Sequence, residues 1–533
     1  MAAACLLAAC TTGHEAALPA DPTARLYAKG LDEITDLYIA PIAPRQLALA
    51  GAAQLHHLDN ALEVFESPTG DNQADLVLRY HGEHIASSPM PIVAGAIDWG
   101  RSLAAMTAAA RQASPKIAAM PQEAVDKAVF DGITSKLDRF SRYAAPELAL
   151  NQRAARDGYG GIGVTLDGTD DFRIAEIIPQ SPADRAGLRP DDRITAVDGV
   201  PTQGRPAEEV VHAIQGAVAT PVSIMVARTS AKEPRAFRLE RAAVTAPTVA
   251  LSQDGTIALI RVASFNHTTT QLVGSGLKEA EAKAGGRLDG IVLDLRSNPG
   301  GLLDQAVDLA DLFIHDGPIS AATGRNPGSR QYFAAKGDSI DTHTPMAVLV
   351  NGGSASAAEI VAAALQDSGR AVVIGSSSYG KGTVQTVVHL PNKAELTVTW
   401  ARLLSPSGYF LQAHGVVPTL CTASLGDGDQ AVQTALQRAG AATAEAGLAT
   451  QARASLDEAG WAALRRACPP QPGRPAVDVK VAQRLLADPK LYLAAVHAIH
   501  AASRIAPGSQ VAASAGASLT EAERALSSDF PIR

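Results

Sequence analysis

Three residues of this chain, Ser356, Lys381 and Gln385, are of the types and in the order that acyl chemistry needs. Ser356 closes the small-residue loop Asn351-Gly-Gly-Ser-Ala-Ser356, and the apolar helical pattern Ala357-Ala-Glu-Ile-Val-Ala-Ala-Ala-Leu365 follows at once. That order predicts a serine hydroxyl at a helix N-terminus, where unpaired amide N–H groups point outward. Such amides suit the oxyanion of a tetrahedral acyl intermediate, and removing one donor of this kind typically costs about 100- to 1000-fold in rate. A serine hydroxyl is a poor nucleophile until a base takes its proton. Lys381 lies between two glycines that let backbone pack closely around it, and an amine sheltered among apolar groups favours its neutral, proton-accepting form. Gln385 follows on the strand-like run Thr383-Val-Gln-Thr-Val-Val-His-Leu390, where a side-chain period of two projects it to the side of Lys381 and lets it orient the amine.

The elements that must position these groups are also legible. The apolar run 346–350 is a buried strand leading into the Ser356 loop. The same strand, glycine loop and helix order occurs earlier, as the apolar run 290–295, the loop Arg296-Ser-Asn-Pro-Gly-Gly301 and an amphipathic helix over 302–314. Each candidate has an ordinary reading beside the chemical one. Ser354 and Ser356 fit turn and N-cap roles, and a lysine between glycines fits a surface turn. The run Gly375-Ser-Ser-Ser-Tyr-Gly-Lys381 starts like a phosphate-binding loop, but Gly382 stands where Ser or Thr is required and a strand, not a helix, follows. A Ser/His/Asp triad would draw on His389 or His414, and spacing favours neither.

The segments Asn351-Gly-Gly-Ser-Ala-Ser-Ala-Ala-Glu-Ile360, Ala364-Leu-Gln-Asp367, Gly380-Lys-Gly-Thr-Val-Gln385 and Leu411-Gln-Ala-His-Gly-Val-Val-Pro418 resemble the C-terminal processing peptidases. These are serine peptidases with a Ser/Lys pair and a built-in PDZ domain, and the resemblance covers roughly residues 25–420. It implies that Ser356 is the nucleophile, Lys381 the general base and Gln385 its orienting partner. It also implies that the Ala357 N–H is one oxyanion donor, with Gly300 or Gly301 on the facing loop completing the hole. Glu359 and Asp367 fill the family's acid positions in supporting roles, and neither a metal nor a cofactor is called for. The fold implied is α/β and multidomain: a crotonase-like ββα superhelix core with an inserted PDZ domain and helical N- and C-terminal regions. A crotonase-type acyl-CoA enzyme would share the core but has no need of the serine/lysine pair or the PDZ segment.

Along the chain, residues 1–24 hold a signal-like segment in which Leu7-Ala-Ala-Cys10 has the form of a lipoprotein cleavage box, with Cys10 as the lipidated residue. The apolar stretch before it is short and carries no positive residue, so a trimmed signal or an alanine-rich start are the alternatives. Export to a bacterial periplasm or cell envelope, with a membrane tether through Cys10, is the expectation. Residues 25–157 read as a helical domain, with helices over 25–65 and 121–150, interrupted at about 67–118 by a hairpin around His81-Gly82 and a helix over 97–112. Residues 158–244 resemble a PDZ domain, which implies a peptide-binding loop at Gly161, Ile162 and Gly163 and a groove lined by Val210, Val211 and Ile214. The peptidase core is expected over 245–425. Residues 426–533 are alanine-rich and helical in pattern, broken by Cys468-Pro-Pro-Gln-Pro-Gly-Arg-Pro475, and resemble nothing identified. An oxidising compartment would let Cys421 and Cys468 bridge.

A length of 533 residues allows two to four domains, 46% hydrophobic and 19% charged residues suit globular protein, and a net charge of −8 offers no basic field to nucleic acid. No apolar run is long enough to span a bilayer as a helix. Two functions from different classes follow. One is an exported serine endopeptidase acting on proteins or peptides with accessible C-termini, its PDZ segment holding Lys381 away from Ser356 until a peptide end docks. The other is an envelope scaffold or adaptor that keeps the PDZ domain and a vestigial catalytic fold.

Overall fold

Asp21 and Pro22 fix the start of the first helix, Pro22–Leu37. The Asp21 carboxylate accepts the Ala24 N–H at 2.7 Å, and Pro22 stands in the first turn, where its missing N–H costs nothing. The computed structural model describes residues 18–70, 73–90, 95–167, 171–179, 181–231, 233–244, 247–441, 453–473 and 475–500. Cys10, the lipoprotein-like start and the polar tail lie outside the described residues. The described residues form two compact units: one takes those up to Ala149 together with Gln385–Trp400, and the other takes those of 150–384 and of 401–500.

In the first unit, helices Pro22–Leu37, Pro44–Leu58, Ala96–Ala113 and Gln122–Thr134 enclose a core that includes Tyr27, Leu31, Leu47, Leu103 and Phe130. The expected hairpin, Gln73–Tyr80 and Glu83–Met90 turning at His81 and Gly82, forms two strands of a three-stranded antiparallel sheet whose other edge is Leu62–Gly70. The strand Leu62–Gly70 begins inside the stretch expected to be helical. Val64 and Phe65 pair there with Leu78 and Val77, and so short an apolar run does not reveal its period without its partner. The segment Gln385–Trp400 returns to this unit by strand pairing, with Leu396 opposite Tyr143 and Thr397 opposite Arg142.

In the second unit the peptidase core is a six-stranded sheet. Its order is Val249–Asp254, Ile257–Val262, Gly290–Asp294, Met346–Val350, Val372–Gly375 and Leu420–Cys421, parallel from the second strand onward. Helices Thr269–Lys283, Leu303–Asp311 and Ala357–Asp367 make the crossovers, so the two glycine loops open at the same sheet ends as their strands. The central strands are buried along their whole length, as parallel strands covered on both faces must be. Helices Asp429–Ala441, Pro475–Ala487 and Pro489–His500 supply one cover, packing Val432, Val481, Leu485 and Val496 with Val292, Leu349 and Ile374. Cys421 and Cys468 are joined by a disulfide.

The PDZ-like portion is built on the sheet order Arg235–Glu240, Pro221–Ala227, Arg193–Val197, Val200–Pro201, with the helix Ala207–Ile214 packed on a core that includes Ile174, Ile194, Ile224 and Phe237. A groove runs between Ile162, Gly163, Val164 and Leu166 on one side and Val211, Ile214 and Gln215 on the other. Val210 does not line it. The helix turns that residue inward, where it is fully buried in the core, and Val211 takes the groove face instead. Gly161 pairs with Ala242 in a short ladder at the start of the loop.

Candidate active site

The two glycine loops are stitched together by asparagines. Asn298, fully buried, donates its Nδ2 to Val262 O at 2.8 Å and accepts the Gly300 N–H at 2.8 Å, while its own carbonyl accepts the Ala355 N–H at 2.9 Å. From the facing loop, Asn351 Oδ1 accepts the Ser297 N–H at 2.8 Å and the Gly353 N–H at 2.9 Å. Asn side chains satisfy turn backbone in this way more cheaply than buried water would. Neither asparagine was singled out by sequence reasoning, although the pattern of Asn followed by glycines in both loops is a signal for them.

These bonds set Ser356 apart from its neighbour. The Ser354 hydroxyl is committed twice, accepting the Asn351 N–H at 2.9 Å and donating to Leu295 O at 2.8 Å. Ser356 is the N-cap of the helix it starts, forms a capping box with Glu359, and has its backbone at φ 55°, ψ −117°. A non-glycine residue in that region costs on the order of 1–3 kcal/mol and persists only where its surroundings over-determine it. Here the determinant is Glu359, one turn into the helix, whose Oε2 accepts the Ser356 N–H at 2.8 Å. The same Oε2 accepts the Lys381 N–H at 2.9 Å. Oε1 accepts the Gly380 N–H at 2.6 Å and the Ser378 hydroxyl. One fully buried carboxylate therefore holds the backbones of Ser356 and Lys381 to a single oxygen atom. Burial pushes the Glu359 carboxyl up, and its four donors act in the opposite direction by stabilising the ionised form.

The Ala357 N–H, first in its helix, has no hydrogen-bond partner among the described residues, and neither has the Gly301 N–H. The Gly300 N–H is spent on Asn298, so of the two glycines on the facing loop only Gly301 keeps a donor to offer. Gly300 contributes close approach instead. A Cβ there would lie 2.8 Å from Ser356 Cβ, 2.9 Å from Ala355 O and 3.1 Å from Ala357 N, so the loops can meet only because it has none.

Asp367 lies at the far end of the helix. It accepts the Ser407 N–H and hydroxyl at 3.1 and 2.7 Å, and burial raises its carboxyl against the pull of nearby Arg453. It anchors the 405–407 turn. Gln385 falls in the first unit and donates its Nε2 to Thr399 Oγ1 at 3.1 Å. The histidines considered for a triad are engaged elsewhere. His414 contacts Phe410 O at 2.9 Å and Glu458 at 3.3 Å and stacks on Trp461, and His389 contacts Glu395 at 3.4 Å. In the PDZ-like groove, the N–H groups of Ile162 and Gly163 have no partner among the described residues, the state required to receive a carboxylate.

A strand–glycine loop–helix pair that sets one serine at a helix N-terminus, in a chain with a peptide-groove module, is the build of a serine-type peptidase. The family model of Peptidase family S41 matches residues 256–421, and that of the PDZ domain matches residues 173–228. The carboxy-terminal-processing protease of Bartonella bacilliformis is 34% identical over 302 residues, 56% of this chain and 69% of that protein. The carboxyl-terminal-processing protease of a Synechocystis species is 33% identical over 288 residues, 52% of this chain and 66% of that protein. Among solved structures, a photosystem II D1 C-terminal processing protease is 33% identical, with 55% of this chain and 81% of that one covered and a TM-score of 0.33. The chain belongs to peptidase family S41, the carboxy-terminal-processing serine proteases, and spans about two thirds of the length of these two curated relatives.

Proposed function

We propose that this protein is an exported serine endopeptidase that captures protein C-termini in its PDZ groove and cleaves them with a Ser356/Lys381 dyad. The neutral Lys381 amine takes the Ser356 proton as Oγ attacks the scissile carbonyl carbon. The oxyanion then sits between the Ala357 and Gly301 N–H groups. The proton passes from Lys381 to the departing amine, leaving an ester on Ser356, and water activated by the same amine hydrolyses that ester and restores the hydroxyl. Gln385 orients the amine, and Glu359 and Asp367 hold the frame without touching substrate. The observation that supports this reading most is the Glu359 carboxylate, which draws the backbones of both dyad members to one oxygen. The unpartnered amides of Ile162 and Gly163 support carboxylate capture. Export is supported by the Cys421–Cys468 disulfide, which persists in oxidising compartments, and a lipid tether at Cys10 belongs to the same reading.

Casein digestion by wild type, Ser356→Ala and Lys381→Ala proteins tests the dyad. Digestion by wild type alone is expected, with the variants down by roughly 1000-fold or more. Equal digestion by all three rejects the dyad. No digestion by wild type favours a PDZ scaffold.

A further inference from the structure

The region after residue 425 lies beyond the segment matched by the peptidase family, yet one short stretch of it reaches both loops of the site. The Gln471 carbonyl accepts the Gly352 N–H at 2.8 Å, and its N–H donates to Ser376 Oγ at 3.2 Å. The next carbonyl, of Pro472, accepts from Asn351 Nδ2, the side chain that fixes the two glycine loops to each other. Gly352 leaves no room for slack, since a Cβ there would stand 3.0 Å from Gln471 N and 3.2 Å from Pro470 Cβ. A few residues earlier, Arg465 donates Nη2 to Ser378 O at 3.1 Å and Nη1 to His414 O. Between these contacts the chain is tied down by the Cys421–Cys468 bridge, whose other end lies on the last strand of the core sheet.

Arg465 also brings charge to the buried carboxylate. A Cβ placed on Gly415, at φ 63°, would lie 2.9 Å from Glu359 Oε1, 2.6 Å from Ser378 Oγ and 3.1 Å from Arg465 Nη1. Guanidinium and carboxylate thus flank one small gap that only a glycine leaves open.

We propose that residues 465–473 form a strap that positions the Ser356 and Lys381 loops, with Arg465 as its charged positioning residue. The strap holds the nucleophile loop from outside through Gly352 and Asn351, and it holds the lysine segment through Ser376 and Ser378. Arg465 sustains the ionised Glu359 that accepts the Ser356 and Lys381 N–H groups. The charged and titratable groups around Glu359 are Arg465 from the helix Glu458–Ala467 and Tyr409 from the loop that carries His414, and Lys381 meets it through its backbone N–H. At the far end of the Glu359 helix, Asp367 feels the charge of Arg453. Loss of the Arg465 charge favours protonation of Glu359, which moves the acidic limb of activity to higher pH.

The inference rests on the Ser356/Lys381 reading, and full-length variants assayed on fluorescent casein separate the two. Arg465→Met is expected to lower kcat roughly ten- to hundredfold with KM within about twofold of wild type, and to move the acidic limb of kcat upward in pH. Arg465→Lys, which keeps the charge, should bring the limb back. Wild-type kcat in Arg465→Met, an unmoved limb, or no recovery in Arg465→Lys overturns the strap. Should thermal unfolding show Arg465→Met to be misfolded, the double variant Cys421→Ser/Cys468→Ser loosens the strap with Arg465 in place. A fall in kcat at constant KM supports the inference, and unchanged kcat overturns it. If Ser356→Ala digests casein like wild type the dyad itself fails, whereas the strap alone fails when Ser356→Ala is inactive and the strap variants behave as wild type.

Discussion

Gly300 sits where two loops converge, and a methyl group there has nowhere to go. Its Cβ would press on Ser356 Cβ, Ala355 O and Ala357 N at once, and the φ of 101° is itself strained for any other residue. Gly300→Ala should therefore push Ser356 and the Ala357 amide off line by a fraction of an ångström to an ångström, and on the proposed mechanism lower kcat by roughly 100-fold. Circular dichroism and the melting temperature should change far less than kcat. Steady-state kinetics would contradict this geometry if kcat stayed within a few-fold of wild type. Ser356 and Lys381 were legible because their local settings are distinctive: small residues before an apolar helix, and a lysine framed by glycines. Glu359 was legible only as an acid in a supporting place. Its contacts to Gly380 and Lys381 join residues distant in sequence and leave no mark on local pattern. Val210 and Val211 show the same limit in the PDZ-like helix, because adjacent valines both look apolar while only the packed core decides which one turns inward.

The helices of the first unit pack around a buried ionisable pair that the mechanism does not use. Tyr27 Oη donates to Asp126 Oδ1 at 2.8 Å, and Gln122 Nε2 donates to the same oxygen at 2.9 Å. Burial raises the Asp126 carboxyl above its ordinary range, more than these bonds lower it. Its protonated form is thus favoured in the folded state. The stability it contributes is fully present below the ordinary carboxylate range and is lost as pH rises through the raised value. Asp126→Asn keeps an acceptor for Tyr27 and Gln122 and removes the titration. The variant should lose this part of the pH dependence between about pH 4 and neutrality. At pH 7 it should melt a few degrees higher, on the order of 2–4 °C per kcal/mol in a unit of this size. Calorimetry from pH 4 to 8 checks this, and an unchanged slope would show that Asp126 is not the group responsible. At this scale the helix after Ser356 and the amphipathic helix over 302–314 were read from apolar pattern, whereas Thr269–Lys283 was not. The strand Leu62–Gly70 of the small sheet and the return of Gln385–Trp400 to the first unit were not, because strand pairing leaves no mark on so short an apolar run.

For the whole molecule, the proposed function gives substrate capture to the PDZ-like groove and chemistry to the peptidase core, and the unpartnered amides of the PDZ-like loop support that division. Val211→Asp sets a negative charge in the groove that should receive an apolar C-terminal side chain. In the full-length protein it should weaken binding of a fluorescent peptide with a free apolar C-terminus by roughly tenfold or more. Amidation of that peptide's C-terminus should cost wild type a similar amount, and equal binding of free and amidated peptides would argue against carboxylate capture. The central claim, that Lys381 activates the Ser356 hydroxyl, is tested most directly by mapping a fluorophosphonate adduct by mass spectrometry in wild type and in Lys381→Ala. The account predicts a single adduct on Ser356 that forms at least 100-fold more slowly in Lys381→Ala, in line with the contribution of a general base. Label on a different serine, or equal labelling rates in the two proteins, would contradict it.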